Sequence, residues 1–560
     1  MTGLDWVVML GTIATIVVYG LWQSRRGTSA ASYLKGEDLR WPTIGLSIMA
    51  TQASAITFLS VPGQAYEDGM GFVQFYFGLP IAMVIISAVF VPIYYRLKVY
   101  TAYEYLEQRF DVKVRVLAAL LFMVGRGLAA GISIYAPAIV LSTILGWSLN
   151  ITNVVIGATV ILYTVTGGAK AVSQTQRQQM IVIMAGILIA AVVIAWRLPT
   201  GVSVLDAATV AGAVGRMEIV SFDLDPTSRY TVWSGLTGGL FLALSYFGTD
   251  QSQVQRYLGG RSVAESRLGL LFNGLLKIPM QLLILFIGIL VFAFHVFEEP
   301  PIFFNETALA EVRQTEQAAE LAGLEASFSN AFEARRAAAE AVVTSDSPSA
   351  RAALQDAQAQ MEVLRSDAKR VIAEAVPGTE TKDQDFIFIS FVLHYLPSGL
   401  IGLLLAVILS AAMSSTASEL NALGATSVVD LYGRLFDRNA DDQRTIALSK
   451  GFTVLWGLIA IAFATFASLV DNLIQAVNII GSLFYGVSLG LFLVGFFLKR
   501  VQANATFVAG LLAQAAVLGL YFTADIGFLW FNLIGCVLVV VLAQAGQLVR
   551  GASPSPGEPS

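Results

Sequence analysis

Two cations stand inside apolar stretches of this sequence. A charge there costs at least ~2.5–3.5 kcal/mol on insertion scales, so each marks a candidate functional site. Arg126 lies deep within "LLFMVGRGLAAGISIYAPAIVL", too far in to snorkel easily to an interface. A guanidinium stays charged and offers a planar fork that matches a carboxylate. Arg126 therefore reads either as a contact for an anionic substrate or as half of an internal ion pair. No Asp or Glu lies in the apolar blocks on either side of it. Lys277, in "NGLLKIPMQL", sits nearer a cytoplasmic end and reads as a gate-bonding lysine rather than a substrate ligand.

Hydroxyls supply the second chemistry. The stretch "GLSIMATQASAITFLSVPGQAY" holds Ser47, Thr51, Gln52, Ser54, Thr57, Ser60, Pro62 and Gly63. That density of polar and helix-breaking residues suits a discontinuous membrane helix, whose unwound carbonyls can hold a cation. In "ILSAAMSSTASELNALGATS", Ala411, Ser414, Ser415 and Ser418 recur at i, i+3, i+4 and i+7 and share one helical face. Two hydroxyls plus backbone carbonyls make a charge-poor oxygen cage for a monovalent alkali cation, since divalent sites usually recruit carboxylates. The same face also suits close packing of small residues between helices. Glu419, one turn past Ser415, is the candidate carrier for a proton-coupled alternative.

These groups need a membrane scaffold. The chain has 560 residues, 56% hydrophobic and 13% charged, against about 25% charged in soluble domains. Its apolar blocks are long enough for helical spans of roughly 20 residues. About thirteen spans are read, near 4–22, 42–65, 71–95, 116–146, 149–167, 174–196, 232–250, 269–297, 386–432, 447–470, 472–497, 503–522 and 526–549. With the N-terminus outside, short loops rich in Lys and Arg fall in the cytoplasm, among them Arg25, Arg26, Lys35, Arg40, Arg109, Lys113, Arg115 and Arg438. Arg197, Arg216 and Arg229 share one outside loop, and the asymmetry fits the positive-inside rule. A hydrophilic insert over 298–384, rich in Ala, Glu, Arg and Leu with a "TSDSPS" turn, reads as an extracytoplasmic antiparallel helical hairpin. It is a tolerated insertion, removable without loss of transport, or an arm that docks an unknown partner.

An ordered set of stretches resembles the sodium/solute symporter family, which includes sugar, sialic acid, iodide and monocarboxylate carriers. They are "SYLKGEDLRW", "PIYYRLKVYTAYEYLEQRF", "IYAPAIVLSTILGW", "LYTVTGGAKAV", "FGTDQSQVQRYL" and "SAAMSSTASELNALGATSVVDLY". The resemblance implies an all-α membrane protein with a LeuT-type five-plus-five inverted repeat. Its parts would be a first span and loop (1–41), a first repeat (42–196), a second repeat (232–497) holding the hairpin, two C-terminal spans (503–549) and a disordered tail (550–560). It implies a sodium site from the carbonyls of Ala50, Ala53 and Ala411 and the hydroxyls of Ser414 and Ser415. It also implies substrate contacts from Gln52, Ser54, Thr57, Gln74, Tyr76, Arg126 and Asp250, with Lys277 and Gln176 in gating or coupling. Two departures narrow this. Gln176 stands where many relatives have an Asp that serves a second cation, which points to one sodium per substrate. Thr57 and Tyr76 stand where sugar carriers have a Gln and a Glu, and "SAITF" is similar to sialic acid symporters.

A membrane enzyme would need a catalytic constellation, and the sequence has no P-loop, metal cluster or paired intramembrane carboxylates. The expectation is a sodium-coupled secondary symporter that imports a small organic solute by alternating access, the solute being a carboxylate-bearing anion of sialic acid or monocarboxylate type. The alternatives are a sodium/sugar symporter and, behind it, a proton-coupled transporter or a transporter-like sensor. The expected location is the cell inner membrane, with sodium as the co-transported ion and no organic cofactor.

Overall fold

The computed structural model describes residues 1–24, 33–34, 36, 38–376, 381–437, 441–466 and 473–550. Arg25, Arg26, Lys35, Arg438 and the tail beyond Arg550 lie outside the described residues. Among the described residues all regular structure is helical, apart from one isolated bridge between Leu39 and Gly260. Among the described residues, ten helical runs are long and apolar enough to cross a membrane. The difference from thirteen has a simple origin. The first span, Gly3–Tyr19, and the seventh, Val232–Gly248, are apolar but shorter, and the second and third are joined in one run, Ala55–Leu97.

The main elements, in chain order, are α1 (Gly3–Ser24), α2 (Trp41–Gln52), α3 (Ala55–Asp68), α4 (Val112–Leu145), α5 (Leu149–Thr166) and α6 (Gly168–Arg197). Then come α7 (Val204–Ala213), α8 (Gly238–Gly248), α9 (Gln251–Leu258), α10 (Val263–Phe297), α11 (Ala318–Ser345) and α12 (Pro348–Ala375). The chain closes with α13 (Gln384–Tyr395), α14 (Leu400–Thr426), α15 (Asp442–Ala464), α16 (Leu473–Phe497), α17 (Ala503–Thr523) and α18 (Trp530–Arg550).

Local chemistry sets the breaks. Between α2 and α3, Ala53 (φ −82°, ψ 69°) and Ser54 (φ −77°, ψ 171°) leave the helical region, so the last carbonyls of α2 lose their partners within the helix. Pro62 and Gly63 do not make this break; both lie within α3. Gly63 instead admits the neighbouring backbone, since a Cβ there would stand 2.0 Å from the Gln384 carbonyl oxygen. Between α8 and α9, Asp250 caps α9 by accepting from Ser252 N at 2.8 Å.

Helices α2 and α3 pack on α10 and α14, and α14 also packs on α4 and the α5–α6 pair. The interior they share is almost wholly closed: Ala50, Ala53, Ala411, Ser414 and Gln176 are each 0% exposed. Between membrane helices, close packing and hydrogen bonds replace the hydrophobic drive of water.

The insert folds as the antiparallel pair α11 and α12, reversed where Asp346 takes a left-handed conformation and Ser347 caps α12 ahead of Pro348. The pair is not a freestanding solvated hairpin. Phe328, Phe332 and Met361 bury with Ile302 and Phe303 at its root. Arg335, 3% exposed, donates to the His295 carbonyl at the end of α10 at 2.5 Å.

Candidate functional site

A cavity opens where the α2–α3 break meets α4, α8, α10, α14 and α16. Of the residues expected to contact substrate, Gln52, Ser54, Thr57, Tyr76 and Arg126 line it. Gln74 does not. Its side chain donates to Tyr230 O at 3.0 Å and accepts from Ser221 N at 2.9 Å, tying the turn before Tyr76 to the loop ahead of α8. Asp250 is also absent from the wall and acts from behind it.

Arg126 is fully engaged. Its Nε donates to Asp250 Oδ2 at 3.1 Å, its Nη1 to Glu419 Oε1 at 3.0 Å, and its Nη2 to Asp250 and to the Tyr485 hydroxyl. The rings of Tyr246 and Tyr485 lie 5.1 and 5.9 Å from the guanidinium carbon. The missing acids thus come from α14 and the α8–α9 break, beyond the blocks that flank Arg126 in sequence. A buried ion pair of this kind holds three segments of the cavity wall together.

Lys277 behaves oppositely. Helix α10 begins at Val263, well ahead of the apolar block, so Lys277 lies farther along the helix than a residue at its cytoplasmic end. It is 1% exposed, lines the cavity, and has no hydrogen bond or ion pair among the described residues. Its Nζ lies 5.3 Å from the Tyr76 ring centre, a cation–π contact. Lys277, expected near a cytoplasmic end and in gating or coupling, thus stands in the cavity wall.

The candidate sodium residues meet beside the same break. Ser414 Oγ donates to the Ala50 carbonyl at 3.1 Å, and Ser415 Oγ to the Ala411 carbonyl at 3.1 Å. Ser415 also lines the cavity, so the candidate sodium residues share a wall with it. Gln176, on α6, bridges the helices that carry these oxygens. Its Oε1 accepts from Ser47 Oγ at 2.5 Å, while its Nε2 donates to Ser414 O at 2.9 Å, to Thr51 Oγ1 at 3.2 Å and to Ser418 Oγ.

Sequence reasoning did not single out Tyr246, Tyr485, Ser133 or Asn478, all in the wall. Asn478, an amide within an apolar run, carried a readable signal. The tyrosines lie in ordinary apolar stretches and carried none.

Comparison with known proteins places this architecture. The chain is 28% identical over 509 residues to the human sodium/iodide cotransporter, covering 89% of this chain and 66% of that protein. It thus spans just under two thirds of that protein's length. It is 29% identical over 527 residues to sodium-coupled monocarboxylate transporter 1 of Xenopus laevis, covering 92% of this chain and 71% of that one. It is 25% identical over 552 residues to the sodium/sialic acid symporter of Proteus mirabilis, covering 96% and 93% respectively. A solved substrate-bound, outward-open sodium-coupled sialic acid symporter shares the fold, with a TM-score of 0.77 at 23% identity, covering 99% of this chain and 100% of that one. The sequence profile of the sodium:solute symporter family matches residues 32–324 and 362–513, and the interval it skips falls within the hairpin. Matched over most of its length, this multi-pass chain belongs to the sodium:solute symporter family.

Proposed function

We propose that the protein imports a small organic anion together with one sodium ion, by alternating access around the cavity at the α2–α3 break. The observation that carries the anion reading is Lys277, a buried lysine in the cavity wall that makes no hydrogen bond or ion pair of its own among the described residues. A carboxylate supplies such a partner, and Ser54 and Thr57 offer hydroxyls from the facing helix. Arg126 forms the opposite wall with its charge already matched.

Electrostatics then links the two cargoes. Arg126, Asp250 and Glu419 together carry one negative charge when ionised, which offsets Lys277 in the empty site. Sodium held by the Ala50, Ala53 and Ala411 carbonyls and the Ser414 and Ser415 hydroxyls would lie within about a helical turn of Glu419. It turns a neutral site into a net cationic one, which favours an anion. At about 10 Å and an effective dielectric of 20, one such attraction is worth about 1.7 kcal/mol, in the range of measured couplings between sites.

Gln176 supports a single sodium. Its amide nitrogen already donates to Ser414 O and Ser418 Oγ, and a neutral amide brings no charge for a second cation. The positive-inside pattern supports an N-terminus outside and a cytoplasmic C-terminus, and the inner membrane of the cell is the proposed location.

The cation site is tested without substrate. Sodium chloride should raise the unfolding midpoint of the purified protein above its value in equimolar potassium chloride. Ser415→Ala should shift the half-maximal sodium concentration upward. Equal stabilisation by the two salts would remove sodium from the account.

A further inference from the structure

Helix α3 starts at the cavity, with Ser54 just ahead of it and Thr57 in its first turn, and finishes beneath the hairpin at Tyr66, Glu67 and Asp68. The hairpin grips that end through charge. Arg365 and Lys369 stand one turn apart on α12 and face two carboxylates, Asp383 and Glu67. The Asp383 contacts are short, 2.7 Å from Arg365 and 2.9 Å from Lys369. The Glu67 contacts are long, 3.7 and 3.8 Å, beyond hydrogen-bond reach.

The two cations are thus anchored on one acid and pull on the other. Asp383 is itself fixed, accepting from Phe304 N at 2.8 Å. Burial pushes its carboxyl up, but Arg365 and Lys369 outweigh that and hold it below the usual carboxylate range. Glu67 has one further partner, the Gln384 amide, while Arg216 donates to the Tyr66 carbonyl and pairs with Glu362 of α12 at 3.1 Å. A cleft lined by Tyr66, Asp68, Arg335 and Met361 among others lies between the end of α3 and the hairpin.

We propose that the hairpin is a latch on α3: Arg365 and Lys369, anchored on Asp383, hold the helix end through Glu67 and set how readily the cavity opens on the hairpin side. These are positioning residues that touch no transported solute. The proposal rests on the alternating-access reading, and its test reads opening directly, without substrate.

Leu242 lines the cavity, and the lone cysteine, Cys536, is buried. In a Cys536→Ser background, Leu242→Cys is labelled with a membrane-impermeant methanethiosulfonate applied separately to right-side-out and inverted vesicles. The hairpin face is identified with Arg351→Cys, at a side chain 47% exposed. Glu67→Gln and Lys369→Gln should each speed labelling from the hairpin face about threefold, the size of one weak ion pair. Lys369→Arg, which keeps the charge, should label at the parent rate. Glu67→Gln keeps the side chain's shape and its Gln384 contact, so its result stands even if a lysine variant inserts poorly. Unchanged hairpin-face rates in both neutral variants, or Lys369→Arg as fast as Lys369→Gln, would overturn the latch. Labelling from both faces that ignores replacement of sodium by potassium would instead count against alternating access.

Discussion

At the scale of residues, the two buried cations divide the work, and substitution should separate them. Arg126 is bound into an ion-paired cluster, so Arg126→Gln leaves Asp250 and Glu419 facing one another without their cation. Breaking such a buried pair costs about 3–5 kcal/mol of stability, and thermal unfolding of the purified variant should show it. Lys277→Gln removes a buried group that makes no hydrogen bond or ion pair of its own, so stability should hold or rise. Its cost should fall on anion affinity, about 2–5 kcal/mol for a desolvated charge pair left half empty. The reverse pattern, with Lys277→Gln unstable and Arg126→Gln stable, would exchange their roles. The sequence marked both residues as costly because each interrupts an apolar run. It could not show which was paired, since the acids that meet Arg126 lie 124 and 293 positions away along the chain.

At the scale of elements, the polar density of "GLSIMATQASAITF" made the broken helix readable, and the break does fall there, at Ala53 and Ser54. Its partner elements were harder to see. The amide of Gln176 ties α2 to α14 through four hydrogen bonds. Three helices meet at that amide, and no local pattern reports such a meeting. Gln176→Ala should leave the Ser47 hydroxyl without its acceptor and the Ser414 carbonyl without the amide donor, at about 1–3 kcal/mol per group. The midpoint of unfolding should fall, and sodium should recover less of it than in the parent protein. Undiminished sodium stabilisation in Gln176→Ala would detach this amide from the cation site. The hairpin gives the opposite lesson. Its composition and turn signalled two solvated helices, and both form, but composition could not show Arg335, Arg365 and Lys369 reaching back to the transport core.

At the scale of the whole molecule, the account is one of charge balance. One sodium moving with one monoanion carries no net charge, so uptake into proteoliposomes under a fixed sodium gradient should not respond to a potassium-clamped membrane potential. A site that moved two sodiums, or a neutral solute with one, would respond at about 2.3 kcal/mol per charge per 100 mV. Rate against sodium concentration should follow a Hill coefficient near one, because Gln176 occupies its acceptors without adding charge. The membrane class and family were legible in the long apolar runs and the ordered stretches. The solute was not, because its contacts are single side chains from separate helices. The most direct measurement is a thermal-shift screen of the purified protein with carboxylates, their uncharged amides, and neutral sugars, each in sodium and in potassium. At 100 times its Kd a ligand adds about 2.7 kcal/mol of stability, well within detection. The account predicts stabilisation by a carboxylate in sodium only, lost on amidation and in Lys277→Gln. Stabilisation by neutral sugars alone, unaffected by Lys277→Gln, would contradict it.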